Sequence, residues 1–358
     1  MTRRLNVLIT GVGGRGVGYQ LLHAMSLTQD RYRIICVDAV SFSYGLYLVD
    51  SRYIVPLASS PDYIPALIDI IQRESIDVLL PGTEAELIKI SGARDEIEKT
   101  GCRPIIGSRS VIDLAFDKAK LYRWLDEQGI GVPRSGTVGN WRALVEEVGF
   151  PVVAKPSGNS GGSRNVAILA DVAEVEDYIA NFPGDRGTII VQEYVGDAES
   201  EYTVGVIIAS DGRIIDSIVM RRNLIGLTLG VSRSIGGKDY ALSTGYSQGF
   251  IIEDKEIQEF CEALSRRMEI VGPANFQLRR HKGTIKVFEV HPRFSGTAAV
   301  RAEAGLNEPD IIIRNQVFGE HFGRQSYQTN VAAIRALHTI LVPMQDLTNV
   351  PTVDRQKA

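Results

Sequence analysis

Apolar runs of strand length alternate with stretches of helical spacing along residues 5–107, and that alternation restricts the fold more than any other feature of the chain. Leu5 to Thr10, Ile34 to Asp38 and Asp77 to Pro81 are continuously apolar over most of their length. Strands buried on both faces belong in a sheet that helices cover on both sides. The segments between them, through Met25, from Tyr63 to Glu74 and from Glu84 to Thr100, have helical spacing, and Pro104 to Gly107 closes the set. Parallel neighbours need crossover connections, which helices supply. Residues 1–107 are therefore expected to form an open, mostly parallel α/β sheet.

The pattern changes near residue 108. A helix is expected over 111–129, followed by Gly131-Val132-Pro133 and a short helix at 140–148. Strands at 151–155 and 165–169 flank a Gly/Ser loop; a helix at 171–181 and strands at 188–192, 201–209 and 213–219 follow. Ser210-Asp211-Gly212 and His281-Lys282-Gly283 read as hairpin turns. The second joins strands 273–280 and 284–290, after a long helix over 254–270. This region is α+β with antiparallel sheets. The expected divisions are a first domain at 1–107, a small lid subdomain at 108–190 and a core subdomain at 191–345. A strand within Val331 to Val342 joins either the first sheet or the core, and the polar tail 346–358 is expected to be disordered.

The net charge of −4 comes without a block of like charge, which argues against nucleic acid as a partner. Cys36, Cys102 and Cys261 are widely separated and suggest neither a disulfide framework nor a zinc site, which fits a cytoplasmic protein. No apolar stretch approaches the roughly 18 residues needed to span a membrane, and no signal peptide is visible before the first strand.

Gly11-x-Gly13-x-x-Gly16 follows a strand, precedes a helix and is followed by Asp38. That matches the dinucleotide fingerprint and raises an NAD(P)-dependent oxidoreductase or epimerase as one reading. The other reading is tight strand–helix packing; no Tyr-x-x-x-Lys dyad appears downstream.

Four later segments fit one chemistry. Lys155 ends a buried strand, where an unpaired ammonium is costly unless an anion joins it. The following Gly/Ser loop, including Ser160, Gly161, Gly162 and Ser163, can offer backbone N–H groups and hydroxyls to phosphates. Ile189 to Val195 is an apolar strand ending in a carboxylate. It can line an adenine slot, with Glu193 accepting from the exocyclic amine and the backbone of Val195 meeting the ring edge. Glu201, or its neighbour Glu199, is placed to hold ribose hydroxyls. Gln277 and the pair Glu289 and His291 lie on adjacent hairpin strands. Residues two apart share a strand face, so Glu289, His291 and Arg293 can converge on Mg²⁺ and phosphate.

In order, spacing and residue type these segments resemble the ATP-grasp superfamily, most closely the halves of the carbamoyl-phosphate synthase large chain and related single-domain carboxylate–amine ligases. The resemblance covers roughly residues 5–320. It includes Ala115-Phe116-Asp117-Lys118-Ala119-Lys120 and the first-domain junction Pro81-Gly82-Thr83-Glu84-Ala85-Glu86-Leu87. It implies a pre-ATP-grasp domain followed by a two-subdomain ATP-grasp fold. Lys118 and Lys155 would contact the nucleotide, Gln277, Glu289 and His291 would hold Mg²⁺, and Arg293 would serve the transferred phosphoryl and the activated carboxylate. The implied reaction is an ATP-dependent ligation of small-molecule carboxylate and amine substrates. Separately, the segment Val331 to Val342 could serve a contact in a homodimer. The family usually has Asn where His291 stands. Imidazole is softer than an amide oxygen, which leaves Mn²⁺ binding, donation to a phosphate oxygen, or an incomplete site in a non-catalytic ATP-binding homologue. The Gly/Ser loop is one lid candidate and the polar segment 221–238 a second; Arg221, Arg222, Arg233 and Lys238 either meet an anionic substrate or belong to a solvated loop.

Overall fold

The computed structural model describes residues 3–14, 16–28, 30–157, 165–197, 199–224, 230–243 and 246–353. Its first sheet is parallel, in the order Ser51–Ile54, Tyr32–Asp38, Leu5–Thr10, Val78–Leu80, Arg103–Pro104. The edge strand Ser51–Ile54 lies outside the sequence expectation. All four of its residues are only partly buried, so it has no apolar run to mark it.

Two expected helices are broken. The stretch from Glu84 to Thr100 forms Glu84–Gly92 and Arg94–Glu98, with Gly92, a weak helix former, at the break. The stretch 111–129 forms Arg109–Phe116 and Lys118–Glu127. Asp117 leaves the helical backbone between them, and its carboxylate accepts from Lys120 N at 3.0 Å. That cap starts a new helix at Lys118.

Gly18 and Gly82, beside the glycine-rich turn, set the packing of the first helix on the sheet. A Cβ on Gly82 would lie 1.9 Å from the Thr10 carbonyl oxygen, and one on Gly18 would lie 2.3 Å from it. Helix Val17–Ser26 can approach the strand ends only because both lack side chains. Asp38 is already engaged: it accepts from Gly13 N at 3.1 Å, Ser43 Oγ at 2.7 Å and Ala39 N at 2.7 Å. Its carboxylate secures the loop rather than standing free for a ribose, which removes the basis of the oxidoreductase reading.

The rest of the chain is antiparallel. A four-stranded sheet runs Ser135–Thr137, Ile189–Glu193, Val152–Pro156, Ala167–Leu169. A six-stranded sheet runs Thr284–His291, Gly272–His281, Glu201–Ile208, Ile214–Asn223, Gln248–Ile252, Val331–Ala333. Val331–Ala333 thus joins the core sheet. The hairpin Gly230–Ile235 and Lys238–Ser243 stands apart.

Two boundaries shift. The division expected between 190 and 191 cuts through Ile189–Glu193, whose hydrogen bonds belong to the four-stranded sheet. Val111, Leu121 and Leu125 pack with Val204, Val206 and Phe276 of the six-stranded sheet, so residues 109–127 join the core by contact. The tail is not disordered over 346–353. Ile54 N donates to Pro351 O at 2.8 Å, Val353 N donates to Ile54 O at 3.0 Å, and Val353 is buried. These backbone bonds satisfy an otherwise open sheet edge. Residues 354–358 lie outside the described residues.

Candidate active site

One cleft lies between the two antiparallel sheets, and Lys118, Lys155, Glu193, Val195, Glu201, Gln277, Glu289, His291 and Arg293 all line it. Lys118 comes from the first turn of its helix, Lys155 from the strand Val152–Pro156, and Gln277 and Glu289 from opposed positions of one hairpin. Ser160, Gly161, Gly162 and Ser163 lie outside the described residues.

Glu289 is the electrostatic centre. His291 Nε2 lies 3.0 Å from Glu289 Oε2, and Lys118 Nζ lies 3.7 Å from Oε1. Burial pushes the Glu289 carboxyl up, but the His291 hydrogen bond and the charges of Lys118 and Lys155 outweigh it and hold the group well below the usual carboxylate range. Glu289 is therefore ionised at neutral pH and ready for a cation. Lys155 Nζ donates to Tyr122 Oη at 3.3 Å, and Tyr122 Oη donates to Phe288 O at 3.0 Å. Burial pushes the Lys155 ammonium down, against the pull of Glu289. Among the described residues Lys155 has a phenol beside it but no paired carboxylate.

His291 lies between two carboxylates in this arrangement. One ring nitrogen faces Glu289, and the other, Nδ1, lies 3.5 Å from Glu84 Oε1. Among the described residues no group of three or more His, Cys, Asp or Glu side chains is set to hold a metal. The expected set of Gln277, Glu289 and His291 contains a carboxylate, an amide and an imidazole already turned onto the carboxylate.

The nucleotide-base end differs from expectation at Glu201. Glu201 is 2% exposed, and its oxygens are taken by Arg222 at 3.1 Å, by Arg279 at 2.6 Å and by Ser243. Burial pushes Glu201 up, and the two guanidiniums bring it below its ordinary value. It is a structural counter-ion and has no free oxygen edge for ribose. Its rival Glu199 is exposed and lies 3.6 Å from Arg221. The Val195 carbonyl accepts from Arg279 at 3.0 Å. Glu193 retains its place at the cleft, with Oε2 accepting from Arg134 N at 3.2 Å.

The four basic residues expected to face a substrate have other partners. Arg222 holds Glu201, Arg233 binds Glu174 and the Ile168 carbonyl, Arg221 stacks on Phe250, and Lys238 lies over Tyr240. Residues 225–229 of that segment lie outside the described residues.

Sequence reasoning missed Tyr122, Arg279 and Glu84 as site residues. Glu84 opens helix Glu84–Gly92 of the first domain, and its Oε1 accepts from Arg293 Nη2 at 2.9 Å. Only its position in a strand–helix junction marked it.

A parallel α/β domain leading into two antiparallel sheets, with lysines and an ionised glutamate facing each other across the cleft, is the ATP-grasp architecture. Residues 185–339 match the family model "ATP-grasp in the biosynthetic pathway with Ter operon", and residues 7–105 match "PylC-like, N-terminal domain". The expected likeness to the carbamoyl phosphate synthase large chain holds. The protein of that name from Gemmatimonas aurantiaca is 25% identical over 333 residues, covering 87% of this chain and 28% of its own length. The chain thus spans under a third of the first such relatives, at 28–30%. N5-carboxyaminoimidazole synthetase from Staphylococcus aureus, solved with ADP, superposes with a TM-score of 0.65 at 12% identity, covering 91% of this chain and 81% of that one. The biotin carboxylase domain dimer of Hydrogenobacter thermophilus 2-oxoglutarate carboxylase, solved with MgADP, ADP and bicarbonate, gives 0.63 at 16% identity, covering 89% and 71%.

Proposed function

We propose that this chain is an ATP-dependent ligase that activates a small-molecule carboxylate as an acyl phosphate and lets an amine displace the phosphate, releasing ADP and forming a C–N bond. The observation that carries this is the convergence of Lys118, Lys155, Glu289 and Arg293, drawn from separate elements, on one cleft.

Lys155 and Lys118 would neutralise the ATP phosphates. Lys155 suits this role because its buried charge lacks a carboxylate of its own. Glu289, with the Gln277 amide oxygen beside it, would hold Mg²⁺, or Mn²⁺ with help from His291; a bound ion supplies charge neutralisation at the phosphates. His291 orients the Glu289 carboxylate, which suits an outer partner of a ligand. Arg293 would hold the substrate carboxylate and the phosphoryl oxygens as the carboxylate attacks in line. Its always-charged fork matches both carboxylate and phosphoryl geometry. The adenine would lie toward Glu193. The chain contributes positioning and electrostatics rather than a nucleophile.

The test is ADP release from MgATP with a panel of carboxylic acids and amines. Lys155→Ala and Glu289→Ala are each expected to lower substrate-dependent release by about 100-fold or more. Full activity in either variant removes that residue from the mechanism, and no stabilisation by MgATP removes the reading.

A cytoplasmic location belongs to the same proposal, supported by three buried free cysteines; among the described residues no helix is long and apolar enough to cross a membrane. So does a homodimer. Ile334, Leu337 and Leu341 are 86%, 72% and 96% exposed just beyond the edge strand Val331–Ala333, a patch suited to a second copy. Sedimentation velocity is expected to show a dimer that Leu337→Asp with Leu341→Asp dissociates; a monomer at micromolar concentration excludes it.

A further inference from the structure

The first domain reaches the cleft through one charged side chain that the ligase reading does not use. Glu84 comes from the turn after Val78–Leu80, fixed there by the Thr83 cap on Glu86 N at 3.2 Å. Its Oε1 accepts from Arg293 Nη2 at 2.9 Å and lies 3.5 Å from His291 Nδ1. The side chains of Glu84 and Arg293 are only 21% and 14% exposed, so this pair is little screened by water. Arg293 Nη1 is occupied by the Phe294 carbonyl at 2.8 Å. Arg293 Nε and His291 Nδ1 are buried and have no hydrogen-bond partner.

The pattern of filled and empty donors is informative. A guanidinium takes a carboxylate or phosphoryl group most strongly through two parallel N–H bonds. Glu84 fills Nη2 and leaves Nε empty, so it makes one half of such a contact. Burial pushes the Glu84 carboxyl up, but Arg293 and His291 overcome this and hold it below its ordinary value, so the carboxylate is charged. A buried donor left unpaired is costly, and an incoming oxyanion that used both Nε and Nη2 would give Nε the partner it lacks.

We propose that Glu84 is a tethered stand-in for the oxyanion that Arg293 receives: a positioning residue that holds the guanidinium in the unliganded chain and yields its place when the reacting carboxylate or phosphoryl oxygens enter. This rests on the ligase reading for the identity of the oxyanion. It makes the first domain a competitor for the site, and it gives a sign opposite to that of an ordinary supporting ion pair. Weakening the Glu84–Arg293 contact improves oxyanion binding.

Calorimetric titration with inorganic phosphate, the leaving group of the proposed reaction, tests it on the full chain with MgADP present and again without nucleotide. Glu84→Gln keeps a neutral acceptor of the same shape and is expected to bind phosphate about fivefold or more tighter than the unmodified chain, the low end of ordinary coupling between two competing groups. MgADP affinity is expected to stay the same. Glu84→Asp, which keeps the charge on a shorter arm, is expected to fall between them and carries the comparison where Glu84→Gln does not fold. Equal or weaker phosphate binding in a folded variant overturns the proposal, as does phosphate binding to neither protein. Failure of every form to bind MgADP sinks the ligase reading instead; the titration without nucleotide then decides the role of Glu84.

Discussion

At the scale of single residues, the division of labour among the acids follows from their partners. Glu289 and Glu201 are both glutamates in strands of the six-stranded sheet, and both are held below their ordinary values against burial. They differ in what remains free. Glu201 is enclosed by Arg222, Arg279 and Ser243 and has spent its acceptor capacity. Glu289 faces one imidazole and a lysine 3.7 Å away in a cleft, which leaves room for a cation. Removing Glu201 strands two guanidiniums, each only 2–4% exposed at the side chain. Breaking a buried pair from one side costs about 3–5 kcal/mol, so Glu201→Gln is expected to be less stable by about that amount at neutral pH. The folded value of Glu201 is depressed, so its contribution is present above the unfolded glutamate value of about 4.3 and fades as pH falls toward the folded value. Denaturant unfolding at neutral and acidic pH is expected to show the gap between variant and unmodified chain narrowing on acidification. A gap that is absent, or constant with pH, contradicts the pairing.

At the scale of elements, what could be read in the sequence tracks what the local pattern encodes. Leu5–Thr10 and Val78–Leu80 are buried throughout or nearly so, and their continuous apolar runs announce both strand and parallel sheet. Glu289 and His291 were legible as a pair because strand alternation places them together; Arg293, two residues past the strand's end, lines the same cleft. Helix breaks were less legible. Asp117 splits a run whose apolar spacing continues past it, since a cap is one side chain acting on one backbone N–H. The hairpin Gly230–Ile235 and Lys238–Ser243 was least legible. Its polar and glycine-rich sequence suggests a solvated lid, yet Val231, Ile235, Tyr240 and Leu242 pack on Val153 and Ile168 of the four-stranded sheet and on Tyr194 just past it. Those four apolar side chains are scattered among charged and hydroxyl residues, and Arg233, between Val231 and Ile235, finds its partner Glu174 only in the folded chain. Glu84 failed to stand out for a related reason. Its partner Arg293 lies 209 positions away, and no periodicity reports a contact that long.

At the scale of the whole molecule, the first domain is built into the rest. Leu5, Val7 and Ile9 share one core with Ile207, Ile218 and Met220 of the six-stranded sheet and with Ile311 to Ile313. Polar contacts seal the same seam. Asp310 accepts from Arg31 Nη1 at 3.0 and 2.9 Å and from the buried Tyr32 hydroxyl at 2.7 Å, while Asn307 Nδ2 donates to the Ala24 carbonyl at 2.8 Å. A shared core of this kind couples the unfolding of its two sides. Both tryptophans, Trp124 and Trp141, lie outside residues 1–107, so tryptophan fluorescence follows the region after residue 107, whereas circular dichroism follows all helices and strands. The two probes are expected to give coincident denaturant transitions, the mark of one cooperative unit. Asp310→Ala removes the acceptor of a buried phenol and the partner of Arg31, a loss of about 1–3 kcal/mol. It is expected to lower the unfolding free energy by that amount and to shift both transitions together to lower denaturant. Separation of the two curves, with the fluorescence transition left in place, would mean that the first domain unfolds on its own. The placement of Glu84 against Arg293 would then no longer be fixed by the fold.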